Sequence, residues 1–461
     1  MKIENFKKLF DEIMISSQHR GLWLTQYRER SWEHFLKSGL PDRTWENWRY
    51  LNLRPLKDFI NKNPEEEVST QTRYHTRSEH LDTTQLERLK KLVVENEPVS
   101  DSSREYLKIF GINGHFQKPL NTPDNVSISY FSECEENPFR LFDTLFQNPF
   151  ADLPAVNKNK IETPFVDLNS SLMSDGLLIH IRPQQQARQQ TLLIHIVHGI
   201  HARSGRSYFP RIFLLLDEGA TASVIESYRT LEANDSYLCA PVTQASLKKN
   251  AQLNHIRIQN DADSGIHIGT TQKILDSHAR LHTLSLSGSG KVVRHDLHIK
   301  LVEQFAHAEF NGLFLTRQNQ AVDHHTVVDH RVPMTTSRQL YHGMVHKHGK
   351  GIFNGKILVR PGADGTDARQ TNKNLLLSTE SEINTKPELQ IEADDVKCSH
   401  GAAIGQLDAN QLLYLRSRGI SEDLARKLLI KGFASDVIER FPFEANSLKK
   451  ALQTHVEGYF S

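Results

Sequence analysis

Cys398 and His400 stand two residues apart in the stretch Asp394-Asp-Val-Lys-Cys-Ser-His-Gly-Ala402. On an extended strand successive side chains alternate faces, so these two point the same way, about 7 Å apart along the chain. A thiolate and an imidazole so placed can ligate one iron centre, jointly or with ligands from elsewhere. Lys397 is expected to favour the thiolate by its charge. Two donors fall short of the four that a cluster normally takes, so the remaining ligands must come from another chain. The competing reading is a buried cysteine beside a structural histidine.

A second concentration of donors is Val322-Asp-His-His-Thr-Val-Val-Asp-His330, followed by His342, His346 and His348. Imidazoles with carboxylates can bind a transition metal. On a strand, however, His324 and His330 share one face while His325 takes the other, so the set does not converge. Hydrogen bonding of these groups between adjacent strands is the expectation. No nucleotide-hydrolysing loop of the phosphate-binding type is expected. Gly288-Ser-Gly-Lys291 has Val292 where a phosphate-binding loop needs Ser or Thr, and His348-Gly-Lys-Gly351 fails in the same way. Neither a Gly-x-Ser-x-Gly nucleophile elbow nor a His-Glu-x-x-His zinc helix occurs.

The elements that must position these residues are of two kinds. Ile3, Phe6, Phe10, Ile13 and Met14 recur at helical spacing, and Leu22 to Leu36 continue in that style. An aromatic cluster of Trp45, Trp48 and Tyr50 follows, and 61–80 reads as an exposed linker. After residue 175 the texture is β: Thr191–His198, Arg211–Leu216, Ala222–Tyr228, His255–Gln259, Ile266–Gly269, His282–Ser287 and Leu297–Leu301 are short apolar or β-branched runs. Small-residue corners at Gly219, Asn250, His278 and His307 recur every 28 to 31 residues. That period predicts a β-solenoid whose end coils are open edges, with a β-sandwich as the alternative. The tail is helical again. Asp408–Arg418 stops at Gly419, Ser421 caps a helix expected to finish at Lys431 and Gly432, and a third short helix spans Ser435–Phe441. The expected domains are a helical unit with linker (1–100), a β-helix core (101–395) and a helical unit (396–461).

The bulk properties narrow the function classes. Fifty-six basic against 55 acidic residues leave a formal charge of +1, which gives no electrostatic reason to expect nucleic acid or a membrane. Cys134, Cys239 and Cys398 are few, odd in number and widely spaced, unlike a disulfide framework or a self-sufficient cysteine cage. The start of the chain has no apolar signal-peptide core, and the expectation is a cytoplasmic protein.

The C-terminal half resembles the SufB/SufD family of iron–sulfur cluster assembly scaffolds. The resemblance is carried by Val322–His330, Phe353-Asn-Gly-Lys-Ile-Leu-Val-Arg-Pro-Gly362, Asp367–Ser378, Lys386–Gly401, Gly405-Gln-Leu-Asp408 and Tyr414–Ile420. These cover about residues 310–440 densely. Lys397-Cys-Ser-His-Gly401 followed by Gly405-Gln-Leu-Asp408 points to the SufD branch, because the SufB branch carries a different, glutamate-bearing sequence there. Met334 departs from the pattern, since relatives commonly have histidine at that place. The resemblance implies a right-handed parallel β-helix, mainly β, flanked by N-terminal and C-terminal helical domains. It implies a scaffold rather than an enzyme, working in the SUF system with no nucleotide bound by this chain. SufB would pair through the β-helix near Cys398 and His400, where a transient iron–sulfur cluster is shared. The ATPase SufC would dock on the helices of about 408–441, and the free chain has a homodimer as a further option. The rivals are a purely structural partner of SufB and a β-helix enzyme acting on polysaccharide.

Overall fold

A computed structural model of the chain describes residues 3–16, 22–61, 83–96, 106–140, 142, 164–184, 192–201, 205–231, 236–443 and 446–458. The stretch expected to be a linker lies, beyond Asn61, outside the described residues. From Leu177 onward the long strands alternate between two sheets, one of 10 strands and one of 11, and every pair within this run is parallel. Register partners in the first sheet, such as Gln252 with Arg280, Arg280 with His307 and His307 with Thr336, lie one coil apart. The chain is therefore a β-solenoid, as its corner spacing predicted.

The corners explain why the coils stay in phase. Gly219, Asn250, His278, Phe305 and Met334 all have positive φ, the left-handed region that reverses the chain tightly. Several stack on the next coil: Gly219 N–H donates to Lys249 O (2.9 Å), Asn250 to Ser277 O (2.9 Å) and His278 to Gln304 O (3.2 Å). The column continues with Met334 N–H to Asp364 O (2.8 Å) and Gly365 N–H to Asp395 O (2.6 Å). Beside it Ala220, Ala251, Ala279 and Ala306 are wholly buried, because only a small side chain fits inside so sharp a turn. Met334 belongs to this corner column and is half-exposed, so it stands apart from the buried histidines.

Both sheets are covered over part of their outer faces, which is why strands such as Ile266–Leu275 are buried along their whole length. The N-terminal helices Glu4–Ser16 and Leu22–Ser38 bring Phe6, Phe10, Trp32 and Phe35 into a cluster with Phe213 and Ile268 of the second sheet. Arg294 lies 3.8 Å from the Trp48 ring and donates to Asn47 O (2.7 Å), fixing the aromatic segment to that sheet. The first sheet is covered by the helices Glu422–Glu439 and Asn446–Gly458, through Ile430, Val437, Ile438 and Leu452 against Ile256, Leu284 and Met344. Each such apolar side chain contributes roughly 1.5–3 kcal/mol when buried.

Two expectations need correction. The helix begun by Ser421, whose hydroxyl accepts from Leu424 N–H, runs unbroken through Gly432 to Glu439. Packing of Ile430, Ala434 and Val437 on one face outweighs the ~1 kcal/mol that an interior glycine costs. The strand Lys397–Gly405 lies on the helical side of the boundary expected at residue 396, yet it pairs with Asp367–Leu376 inside the solenoid. Among the described residues no helix is long and apolar enough to cross a membrane.

Candidate functional site

The C-terminal coil consists of the strands Glu382–Ile391 and Lys397–Gly405, each last in its sheet. Glu382–Ile391 has no buried residue, and of Lys397–Gly405 only Cys398 is even half-buried. Among the described residues both strands present an unpaired edge, with Ile391 (40% exposed) and Ile404 (48%) at the rim. Edges of this kind leave backbone donors and acceptors free for another chain.

Inward-facing positions form columns along the solenoid axis. The column that begins with Ile194 and Val224 continues through His255, Thr283, Phe310, Gln339 and Gln370 to His400. Its character turns polar toward the open end. Gln370 donates to Gly355 O (3.1 Å), Asn372 to Tyr341 O (3.1 Å), and Thr385 to Asn372 Oδ1 (2.8 Å) across the interior. A Cβ on Gly355 would come within 2.6 Å of Gln370, so glycine there is what lets the amide cross.

Cys398 and His400 therefore share one face, as the spacing predicted, and that face continues the solenoid interior at its mouth. Cys398 stands in register with Ala368 and packs against the core, whereas His400 is exposed above Gln370. Partial burial raises the Cys398 thiol above its ordinary range, and the Asp367 carboxylate adds to this; a hydrogen bond with the Ala368 backbone works in the other direction. The raising by burial and by Asp367 runs against the activation expected from Lys397. Cys398 rests as a thiol, and a metal must displace its proton. The pair presents one sulfur and one imidazole donor to whatever covers the open coil.

The other sequence-selected histidines do not converge on a site. His324 is wholly buried beside the rings of Phe314, Tyr341 and His295. His325 turns outward and pairs with Asp323 (2.9 Å). His330 bonds Thr335 (2.7 Å) and Ser337 (2.9 Å). His342 donates from Nδ1 to Phe433 O (2.8 Å) and stacks on its ring, pinning a C-terminal helix to the first sheet. His346 and His348 are exposed.

Two features escaped the sequence reading. The first is a charged network inside the solenoid. Lys273 donates to His255 Nδ1 (2.9 Å), and His255 Nε2 lies 3.2 Å from Glu226, which also accepts from Thr243 (2.8 Å) and Tyr228. Beside it Arg257 donates to His267 Nε2 (2.5 Å), and His267 Nδ1 faces Asp261 at 2.8 Å. Burial pushes Lys273 down to about 7 and His255 to about 4. Glu226, Arg257 and Lys273 at inward positions of otherwise apolar strands were the available signal. The second is an apolar patch on the tail, where Leu413 (64%), Tyr414 (59%), Leu424 (50%) and Leu428 (43%) are exposed. The helix Ala409–Ser417, capped by Asp408 accepting from Asn410 N–H, has no buried residue at all. These side chains form an exposed apolar surface on the tail.

Comparison with known proteins gives a concordant picture. Residues 198–433 match the family model described as SUF system FeS cluster assembly, SufBD core domain. The chain is 29% identical over 410 residues to the iron-sulfur cluster assembly protein SufD of Escherichia coli, covering 88% of this chain and 86% of that one. It is 28% identical over 455 residues to the chloroplastic protein ABCI7 of Arabidopsis thaliana, covering 97% and 88%. An iron-sulfur cluster assembly SufBD family protein of Synechocystis is 33% identical over 285 residues, 60% of this chain and 62% of that protein, so the chain spans less than two thirds of its length.

Proposed function

The chain belongs to the SufBD family of the SUF iron–sulfur cluster assembly system, and from that premise we propose that it is the scaffold subunit that pairs with a SufB-like chain. The reading rests above all on the open terminal coil. Two strand edges unpaired among the described residues, an exposed apolar rim at Ile391 and Ile404, and a Cys398–His400 pair at the mouth of the interior coincide there. Parallel strands of a second solenoid extend such edges without a change of register. The nascent cluster is cargo at this junction, with Cys398 and His400 supplying two donors and the partner the others. The exposed leucines and Tyr414 of the tail are the docking surface for a SufC-like ATPase. The chain lacks a phosphate-binding loop, so the energy of nucleotide hydrolysis belongs to that second partner, and this chain acts without a catalytic turnover of its own. Cytoplasmic residence fits the three unpaired cysteines.

The test is cluster assembly in the co-expressed three-protein complex carrying His400→Ala, read by iron–sulfur absorbance, with the complex shown intact by size exclusion. We expect cluster yield to fall several-fold from an intact complex. A normal yield would favour the second reading, a structural partner whose Cys398 and His400 are merely packed, which the raised thiol of Cys398 is compatible with.

A further inference from the structure

On the outer face of the first sheet, three coils from Cys398, two adjacent strands bring His282, His307 and Glu309 together. All three are half-buried, and one donor atom from each lies within 4.8 Å of the others. The two rings are 6.1 Å apart, and His282 Nε2 is 4.0 Å from Glu309 Oε2. Sequence alone hides this set, because His282 lies far from His307 along the chain and meets it only through strand register. His307 and Glu309 are two apart on one strand, and Glu309 is in register with His282 on the next.

We propose that these three residues form a binding site for a first-row divalent transition ion, of the class of Zn2+ or Fe2+. Two imidazoles and one carboxylate, with further positions left to water, are a donor set for such ions rather than for calcium or magnesium. The surroundings orient the donors. His307 Nδ1 is held by Thr336 Oγ1 at 2.6 Å, which leaves Nε2 for a metal, and Glu309 Oε1 accepts from Asn311 (3.3 Å), which leaves Oε2 facing His282. Burial lowers both imidazoles below their ordinary range, with Arg280 acting in the same direction and Glu309 against it. Arg280, in register with His307, opposes the ion, while Arg338, in register with Glu309, is engaged by Asp367 (2.6 Å). Donors around one ion stand about 3.3 Å apart, given ligand bonds of about 2.0–2.1 Å. Closing the present spacing requires side-chain rotation of about 1.5 Å, which half-exposed side chains on a rigid sheet can make. Among the described residues the C-terminal helices cover this face around Leu284, Leu286, Leu313 and Met344, and His282, His307 and Glu309 stay half-buried. The site is independent of the terminal coil, being on the opposite face of the same sheet.

The experiment is titration of the full chelator-treated chain with Zn2+ against a chromophoric chelator, and with Fe2+ under anaerobic conditions. We expect one equivalent of either ion to bind saturably. His307→Ala and Glu309→Gln should abolish that equivalent, Thr336→Val should weaken it about tenfold, and Cys398→Ala with His400→Ala should leave it unchanged. Thermal unfolding of each variant confirms the fold, and Glu309→Gln keeps the shape where an alanine disturbs it. The proposal is overturned if no saturable equivalent is found, or if binding survives His307→Ala and Glu309→Gln, or if it vanishes with Cys398 and His400 instead.

Discussion

The two ends of the solenoid finish differently. At the amino-terminal end the chain reverses direction: Tyr106–Ile112 pairs antiparallel with His115–Gln117, and Val126–Tyr130 pairs antiparallel with Leu177–Ile181. Phe131, Phe139 and Phe142 are buried there, and the N-terminal helices close over them. At the carboxyl-terminal end the strands Glu382–Ile391 and Lys397–Gly405 simply stop, parallel and exposed. The interior follows suit, apolar at Ile194 and Val224 and amide-lined at Gln339 and Gln370. A parallel stack can be closed only by reversing the chain, covering it or pairing it with another. Among the described residues one end uses the first two devices and the other uses neither, and the third is what the proposed pairing would supply.

Acid should expose this contrast most strongly, since the closed body holds its imidazoles neutral. Burial lowers His198, His255 and His330 to about 4 and His324 to about 3, against about 6.5 in the unfolded chain. The unfolded chain therefore binds more protons in that window. The stabilisation is complete above pH 6.5 and is lost as pH falls toward 4, on the order of 3 kcal/mol for each residue. Urea midpoints should drop steeply from pH 7 to pH 5; equal midpoints would mean that the interior admits protons and water freely. A pair of truncations sharpens the comparison next. Ile194→Ala in the closed body should cost about 2–5 kcal/mol of stability. Ile404→Ala on the open strand should change the free chain by about 0.5 kcal/mol or less, yet weaken pairing with a SufB-like partner about tenfold. If Ile404→Ala destabilises the free chain as much as Ile194→Ala, the open end is not open. The smallest effect concerns the tie between the N-terminal segment and the open coil, Lys386 to Glu46 at 2.5 Å. Both groups are largely solvated, so Lys386→Ala should cost about 0.2–1 kcal/mol at low salt and less at high salt. A larger, salt-independent loss would make the N-terminal segment part of the terminal coil's support.

The solenoid was legible because its corners obey local rules. Gly219, Asn250 and His278 mark left-handed turns followed by small residues, and a fixed interval between them needs no tertiary information. The fourth marker was displaced: the left-handed residue is Phe305, whose bulk gave no hint of a turn, rather than His307. Cys398 and His400 were legible for the same local reason, since period two fixes their common face. The state of the Cys398 thiol was not, because it depends on how far the side chain sinks against Ala368 and how near Asp367 stands. The helix through Gly432 was hidden because the sheet beneath it, and not glycine's own preference, decides its length. His282, His307 and Glu309 lay beyond sequence reading altogether, as cross-strand register alone makes them neighbours.

The corner column carries a last consequence, for motion rather than for binding. The corner N–H groups of Gly219, Asn250, His278 and Met334 donate forward to the next coil, and the run ends with Gly365 donating to Asp395. Most interior coils are thus clamped at the corner, and the final one receives such a bond from one side only. A nearest-neighbour array of this kind frays from its unclamped end. Amide hydrogen exchange should be fastest across 397–405, slower at each coil inward, and slowest in the strands near Val224, so that the chain has a gradient of local opening energies rather than one stability. A partner docked on the last coil would flatten that gradient along the whole axis without touching the coils behind it.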